Sequence, residues 1–129
     1  MEITEQFISN LMGLSPSDRY KIKYGLPESY NLFNNLWRPV YAYNGRTRPT
    51  RDAICLVAKL YAHCPVAPGI TLFHKMITDK RIPSLPFNQL EQPLIQSLRL
   101  MKDVKLNWVE LTEDLSQWHN KSTRRKWSK

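Results

Sequence analysis

Glycine is scarce in this sequence: there are four, and no two are adjacent. A loop that cradles phosphate needs several glycines close together so that backbone N–H groups can reach the anion, so a nucleotide-binding loop is excluded. Cysteine is scarcer still. Cys55 and Cys64, nine positions apart, are the only two. They match neither the close pairs of structural zinc sites nor the dense frameworks of small secreted domains, and both read as reduced, mostly buried thiols. Long apolar runs are missing as well. The longest, within "AICLVAKLYA", falls far short of the ~20 residues a membrane-spanning helix needs, and no membrane partner is expected. The opening "MEITEQF" begins with acids and lacks the basic start and apolar middle of a secretory signal, which makes the cytoplasm the default compartment.

Acids are also in short supply. Eleven Asp plus Glu against nineteen Lys plus Arg leave a net charge of +8. Such a balance favours a polyanionic partner, nucleic acid or an anionic surface, and says nothing directly about fold.

What is present is helical. The 129 residues suffice for one domain with a real core, and no stretch shows the sustained two-residue alternation of an exposed strand. Ile3, Phe7 and Leu11 recur at helical spacing, closing near Gly13. "SPSDRYKIKYG" sets Ser15 as a cap, Pro16 in the first turn, Asp18 three residues after the cap and Gly25 at the far end. "PESYNLFNNLW" places Tyr30, Phe33, Leu36 and Trp37 on one broad face, and "RPVYAYNGRTRPT" reads as a loop. "RDAICLVAKLYAHC" is apolar on most of its circumference and is expected to be the central helix. After the turn "PVAPGI", "TLFHKMITD" reads as a short helix and "FNQLEQPLIQSLRLMKD" as a helix interrupted at Pro93. Asn107 caps "WVELTEDLSQWH" with Glu110 in the capping-box position, and Trp108, Leu111, Leu115 and Trp118 form a core stripe. The expected fold is an all-α, single-domain helical bundle over 1–129, ending in a basic tail.

Catalysis is not supported, and neither a cofactor nor a metal is expected. His63, His74, His119 and the two cysteines show no zinc-type spacing. Glu110, Glu113 and Asp114 lie close enough to hold a divalent cation, which keeps a metal-dependent nuclease using Glu110 and Asp114 as a distant reading; a capping role for Glu110 and acids opposing the helix dipole explain them more simply.

The bases form the stronger pattern. Arg19 and Lys23 share a helix face; Arg46, Arg48 and Arg51 crowd the central loop; Lys80 and Arg81 occupy a second; Lys121, Arg124, Arg125 and Lys126 fill the tail. Few acids interrupt these clusters, as a track for a phosphate backbone requires. Tyr41, Tyr43 and Trp127 stand beside cations and are candidates to stack on unpaired bases.

Three stretches, in order, resemble the CasB family, the small subunit of the CRISPR surveillance complex Cascade. "LSPSDRYKIKYG" is similar to that family's early "Asp-Arg-Ala…Leu-Arg" helix, and "AICLVAKLYAHCP" to its "LVA-x-Leu-Phe/Tyr-Ala-x-x-Pro" helix. "FNQLEQPLIQSLRLMKDVKLNWVELTEDLSQWHNKSTRRKW" resembles the closing run of leucines, tryptophans and bases. The sequence departs from the pattern at Tyr20, where a small residue is usual, at Asn107, where Asp is usual, and in lacking an arginine before Asn88. Its shorter length also fits a small subunit of another Cascade type, including one translated from an internal start. The resemblance implies a non-catalytic helical subunit, present in more than one copy, that contacts the Cascade backbone and large subunits. It would steady the guide RNA–target DNA hybrid and hold the displaced non-target DNA strand, while guide pairing reads sequence. Arg19, Lys23, Lys121, Arg124, Arg125 and Lys126 match the family's basic positions; Arg46, Arg48 and Arg51 rest on charge alone. The competing expectation is a helical adaptor whose basic face docks an acidic protein partner.

Overall fold

The computed structural model describes residues 3–29, 31, 32, 36, 50–101 and 103–128. Five of the eleven residues of the expected third helix, Tyr30, Phe33 and Trp37 among them, fall outside these residues, as do the loop carrying Arg46 and Arg48 and the aromatics Tyr41 and Tyr43; Leu36 is described and buried. The expected all-α class is observed. Among the described residues, seven α-helices are joined by two 3-10 turns and one four-residue strand, and no helix is long and apolar enough to cross a membrane.

Helices α1 (Ile3–Met12) and α2 (Pro16–Lys23) precede the central α3 (Arg51–His63). Ser15 Oγ accepts the Asp18 N–H at 3.1 Å and starts α2. Gly25, at φ 61°, supplies the left-handed turn beyond its end. Thr50 caps α3 by accepting the Ala53 N–H at 3.2 Å. Eight of the thirteen residues of α3 are buried, Ala53, Ile54, Val57, Ala58 and Leu60 completely, because its apolar side chains cover most of the circumference. It packs against α2, α5 (Glu91–Leu100) and α6 (Trp108–Ser116).

Two local expectations are corrected. "PVAPGI" is more than a turn: Pro68–Thr71 forms the strand β1, whose edge takes parallel bridges to Leu106. The backbone donates Thr71 N–H to Lys105 O at 3.0 Å, Leu106 N–H to Ala67 O at 2.8 Å and Asn107 N–H to Thr71 O at 2.8 Å. Gly69 permits this approach, since a Cβ there would stand 2.2 Å from Lys105 Cβ and 2.7 Å from its carbonyl oxygen. So short a pairing leaves no alternating pattern to read. The expected interrupted helix does divide, but at Leu90, between the 3-10 turn Phe87–Gln89 and α5, rather than at Pro93. Pro93 lies in the first turn of α5, where its missing N–H would have had no intrahelical partner.

Helix α4 (Phe73–Met76) follows β1, and α7 (Lys121–Ser128) closes the described chain. The stretch expected to be a tail is therefore helical, and it docks on α4 and on the 3-10 turn Ile82–Ser84. Thr123 and Trp127, four residues apart, form its buried side. Trp118 meets Trp127 edge to face at 5.1 Å, and Phe73 stacks on Trp127 at 5.6 Å. Among the described residues each buried indole finds an acceptor, as buried indoles generally do: Trp108 donates to Val66 O, Trp118 to Leu85 O and Trp127 to Asp114 Oδ2, all at 2.9 Å.

Candidate nucleic-acid interface

Of the expected basic residues, Arg19 and Lys23 of α2 lie at the C-terminal end of α3 and Arg51 at its N-terminal end; the helix's thirteen residues span about 20 Å at ~1.5 Å per residue. Arg19 rests its guanidinium over the Tyr61 ring at 6.0 Å, and Lys23 places its ammonium over Tyr24 at 5.4 Å. Tyr24 in turn packs on Tyr20 with ring centroids 4.7 Å apart, and both rings are 58% exposed. An exposed aromatic pair edged by cations is the arrangement that takes unpaired bases.

Lys23 and Arg99 both come close to His63, at the C-terminal end of α3. Burial, and then the charges of Lys23 and Arg99, push its pKa below the ordinary 6.5; Lys59 adds to the effect and Glu91 opposes it. Burial raises the neighbouring Cys64 thiol, against the pull of Arg99 and Lys23. Arg99, exposed in the last turn of α5, thus joins the patch. Sequence reasoning passed over it, along with the Tyr20–Tyr24 pair. For the tyrosines the signal was their four-residue spacing beside Arg19 and Lys23; nothing local links Arg99 to α2.

At the other end of α3, Arg51 is exposed as the first helical residue. The Thr50 N–H donates to Ser116 Oγ at 3.0 Å, so Arg51 stands near the end of α6, where the path to α7 begins. On α7, Lys121 and Arg125 are exposed and pair with no acid among the described residues. Arg124 is half-buried, its Nε–H donating to the Trp118 carbonyl at 2.9 Å. Arg46 and Arg48 lie outside the described residues. In the second loop, Asp79 holds Arg81 through Nε–H and Nη2–H bonds of 3.1 and 3.0 Å, leaving Lys80 as that loop's unpaired base.

Trp127 is a correction. Expected to be available for stacking, it is 2% exposed, because the helix carrying it turns it into the aromatic cluster. Lys126 is likewise not left unneutralised: its Nζ lies 2.7 Å from Asp114 Oδ1 and 3.6 Å from Glu110 Oε1. Burial works against this ammonium, but the hydrogen bond to Asp114 and the two carboxylate charges outweigh it and hold its pKa above the ordinary value.

Glu110 reaches this cluster because its expected cap is only half formed. Asn107 Oδ1 accepts the Glu110 N–H at 3.0 Å, but the Asn107 N–H is already given to Thr71. The Glu110 carboxylate turns instead toward Lys126 and toward His74 Nδ1, 3.0 Å away.

No protein-family model matches the chain, and a search of curated proteins finds no similar sequence.

Proposed function

We propose that this chain is a non-catalytic nucleic-acid-binding subunit that holds a single strand against its basic surface, in the role the CasB resemblance implies. In that role it is a small subunit of a type I Cascade complex, stabilising the guide RNA–target DNA hybrid and the displaced strand. The observation that carries the reading is the exposed Tyr20–Tyr24 pair beside Arg19 and Lys23, with Arg99 close to Lys23 around His63. Cations supply affinity that is indifferent to sequence, and exposed rings supply stacking on bases that a duplex keeps hidden.

The test is binding of the purified chain to labelled single-stranded and duplex DNA of increasing length at two salt concentrations. The two ends of α3 are about 20 Å apart. Single strands longer than that should bind more tightly than shorter ones, with salt-sensitive and sequence-indifferent affinity. Absence of binding at low salt transfers the basic surface to an acidic protein partner. Reconstitution with guide RNA and the other subunits then tests the Cascade setting itself.

A further inference from the structure

His74 is a residue of α4 with only 8% of its surface exposed, and its Nδ1 has no hydrogen-bond partner. Glu110 Oε1 lies 3.0 Å from that nitrogen, but not in hydrogen-bonding alignment. Buried polar nitrogens are rarely left this way. Asp114, one turn beyond Glu110 on α6, offers Oδ1 on the same face, and the ligand atoms of all three side chains fall within 4.8 Å of one another. Donors bound about 2.0–2.2 Å from one ion stand roughly 3.0–3.5 Å apart. The His74–Glu110 separation already has that value, and the other separations, within 4.8 Å, are within reach of small side-chain rotations.

Asp114 is also oriented from behind. Trp127 donates its indole N–H to Oδ2, which fixes the carboxylate with Oδ1 toward the cluster. Metal-binding carboxylates are commonly held by an outer hydrogen bond of this kind. The space between the carboxylates already attracts a cation, the Lys126 ammonium. That side chain is 40% exposed and has a route to solvent.

We propose that His74 Nδ1, Glu110 Oε1 and Asp114 Oδ1 form a binding site for a zinc-class divalent cation, with Lys126 as the built-in competitor that the metal displaces. One imidazole with two carboxylates suits Zn²⁺ better than Mg²⁺ or Ca²⁺, which prefer oxygen donors alone. Three protein donors leave a fourth position for water. Two carboxylates balance the ion's charge, and the displaced ammonium adds one positive charge to the exposed side of α7.

The test is calorimetric titration of the full chain with Zn²⁺, in a Cys55→Ser, Cys64→Ser background so that thiols do not compete. One ion per chain is expected. His74→Ala and Asp114→Asn each reduce affinity by at least the ~10–100-fold that loss of an outer partner costs. Glu110→Gln, at a side chain 26% exposed, does the same with little risk to packing, and thermal unfolding checks that each variant folds. Lys126→Met tightens binding by about tenfold or more, because the competing charge is gone. No uptake by either the parent or Lys126→Met overturns the site, as does uptake that none of the three ligand variants weakens.

Discussion

Trp127 donates its indole N–H to one oxygen of Asp114 at 2.9 Å, while the adjacent Lys126 holds the other at 2.7 Å. A single carboxylate on α6 thus receives two consecutive residues of α7, and the anchorage of the basic closing helix depends on it.

Trp127→Ala should remove that anchorage. The indole fills the space between Phe73 and Trp118, and emptying a buried tryptophan site costs about 3–5 kcal/mol. Urea unfolding followed by far-UV circular dichroism measures it. A loss below ~1 kcal/mol would mean that α7 contributes little to the folded body.

Gly69→Ala should destabilise through a clash with Lys105, including its backbone carbonyl, which cannot rotate aside as a side chain would. Overpacking of this type costs about 1–3 kcal/mol. An unchanged midpoint in thermal unfolding would show that β1 and Lys105 do not approach this closely.

His63 should titrate below 6.5 in the free chain, because burial and the charges of Lys23 and Arg99 disfavour its imidazolium. The folded chain then binds fewer protons than the unfolded one just below that value, so this contribution to stability is complete above about pH 6.5 and is lost as pH falls through the folded pKa. NMR titration of the imidazole signals reads the value directly. Lys23→Ala with Arg99→Ala should move it upward, and saturation with an oligonucleotide should do so too; a pKa indifferent to both would separate His63 from the proposed interface.

Tyr20→Ala and Tyr24→Ala should weaken single-strand binding by about 1–3 kcal/mol per lost stacking contact. Duplex binding and stability should change little, since both rings are exposed. Fluorescence anisotropy with the two DNA forms distinguishes stacking from charge: equal loss on both forms would assign the tyrosines a structural role.

Arg125→Ala should lower the magnitude of the single-strand salt slope by about 0.7, the value of one phosphate contact, and leave stability intact. Arg124→Ala should do the same and also cost about 1 kcal/mol, because its Nε–H bond to the Trp118 carbonyl is lost. A slope unchanged in both variants would remove α7 from the strand's path.

The parts of the fold legible in the sequence are those whose causes are local. Ser15 and Asn107 cap the helices they were expected to cap, and α3 is buried as its apolar circumference required. The parts missed depend on distant partners. Nothing in "WVELTEDL" shows that the Asn107 N–H is taken by Thr71, or that Glu110 consequently turns to His74, thirty-six positions earlier. The burial of Trp127 had one local sign, Thr123 four residues before it on a continuing helix, which its charged neighbours obscured. For the candidate interface, Lys23 was legible from helical spacing, while Arg99 enters only through tertiary packing.

The hydrogen bond between Asn107 N–H and Thr71 O acts as a ruler for the pair beyond it. His74 stands three residues after Thr71, and Glu110 three after Asn107. Counting outward from that bond, the two strands of chain reach His74 and Glu110 in step. Inserting one residue after either anchor would turn the next side chain roughly 100° around its helix, parting the pair and displacing the buried Phe73 or Trp108 as well. The spacing on each side is thus a length constraint, distinct from any constraint on residue type, and a related sequence that kept the pair would keep both three-residue intervals.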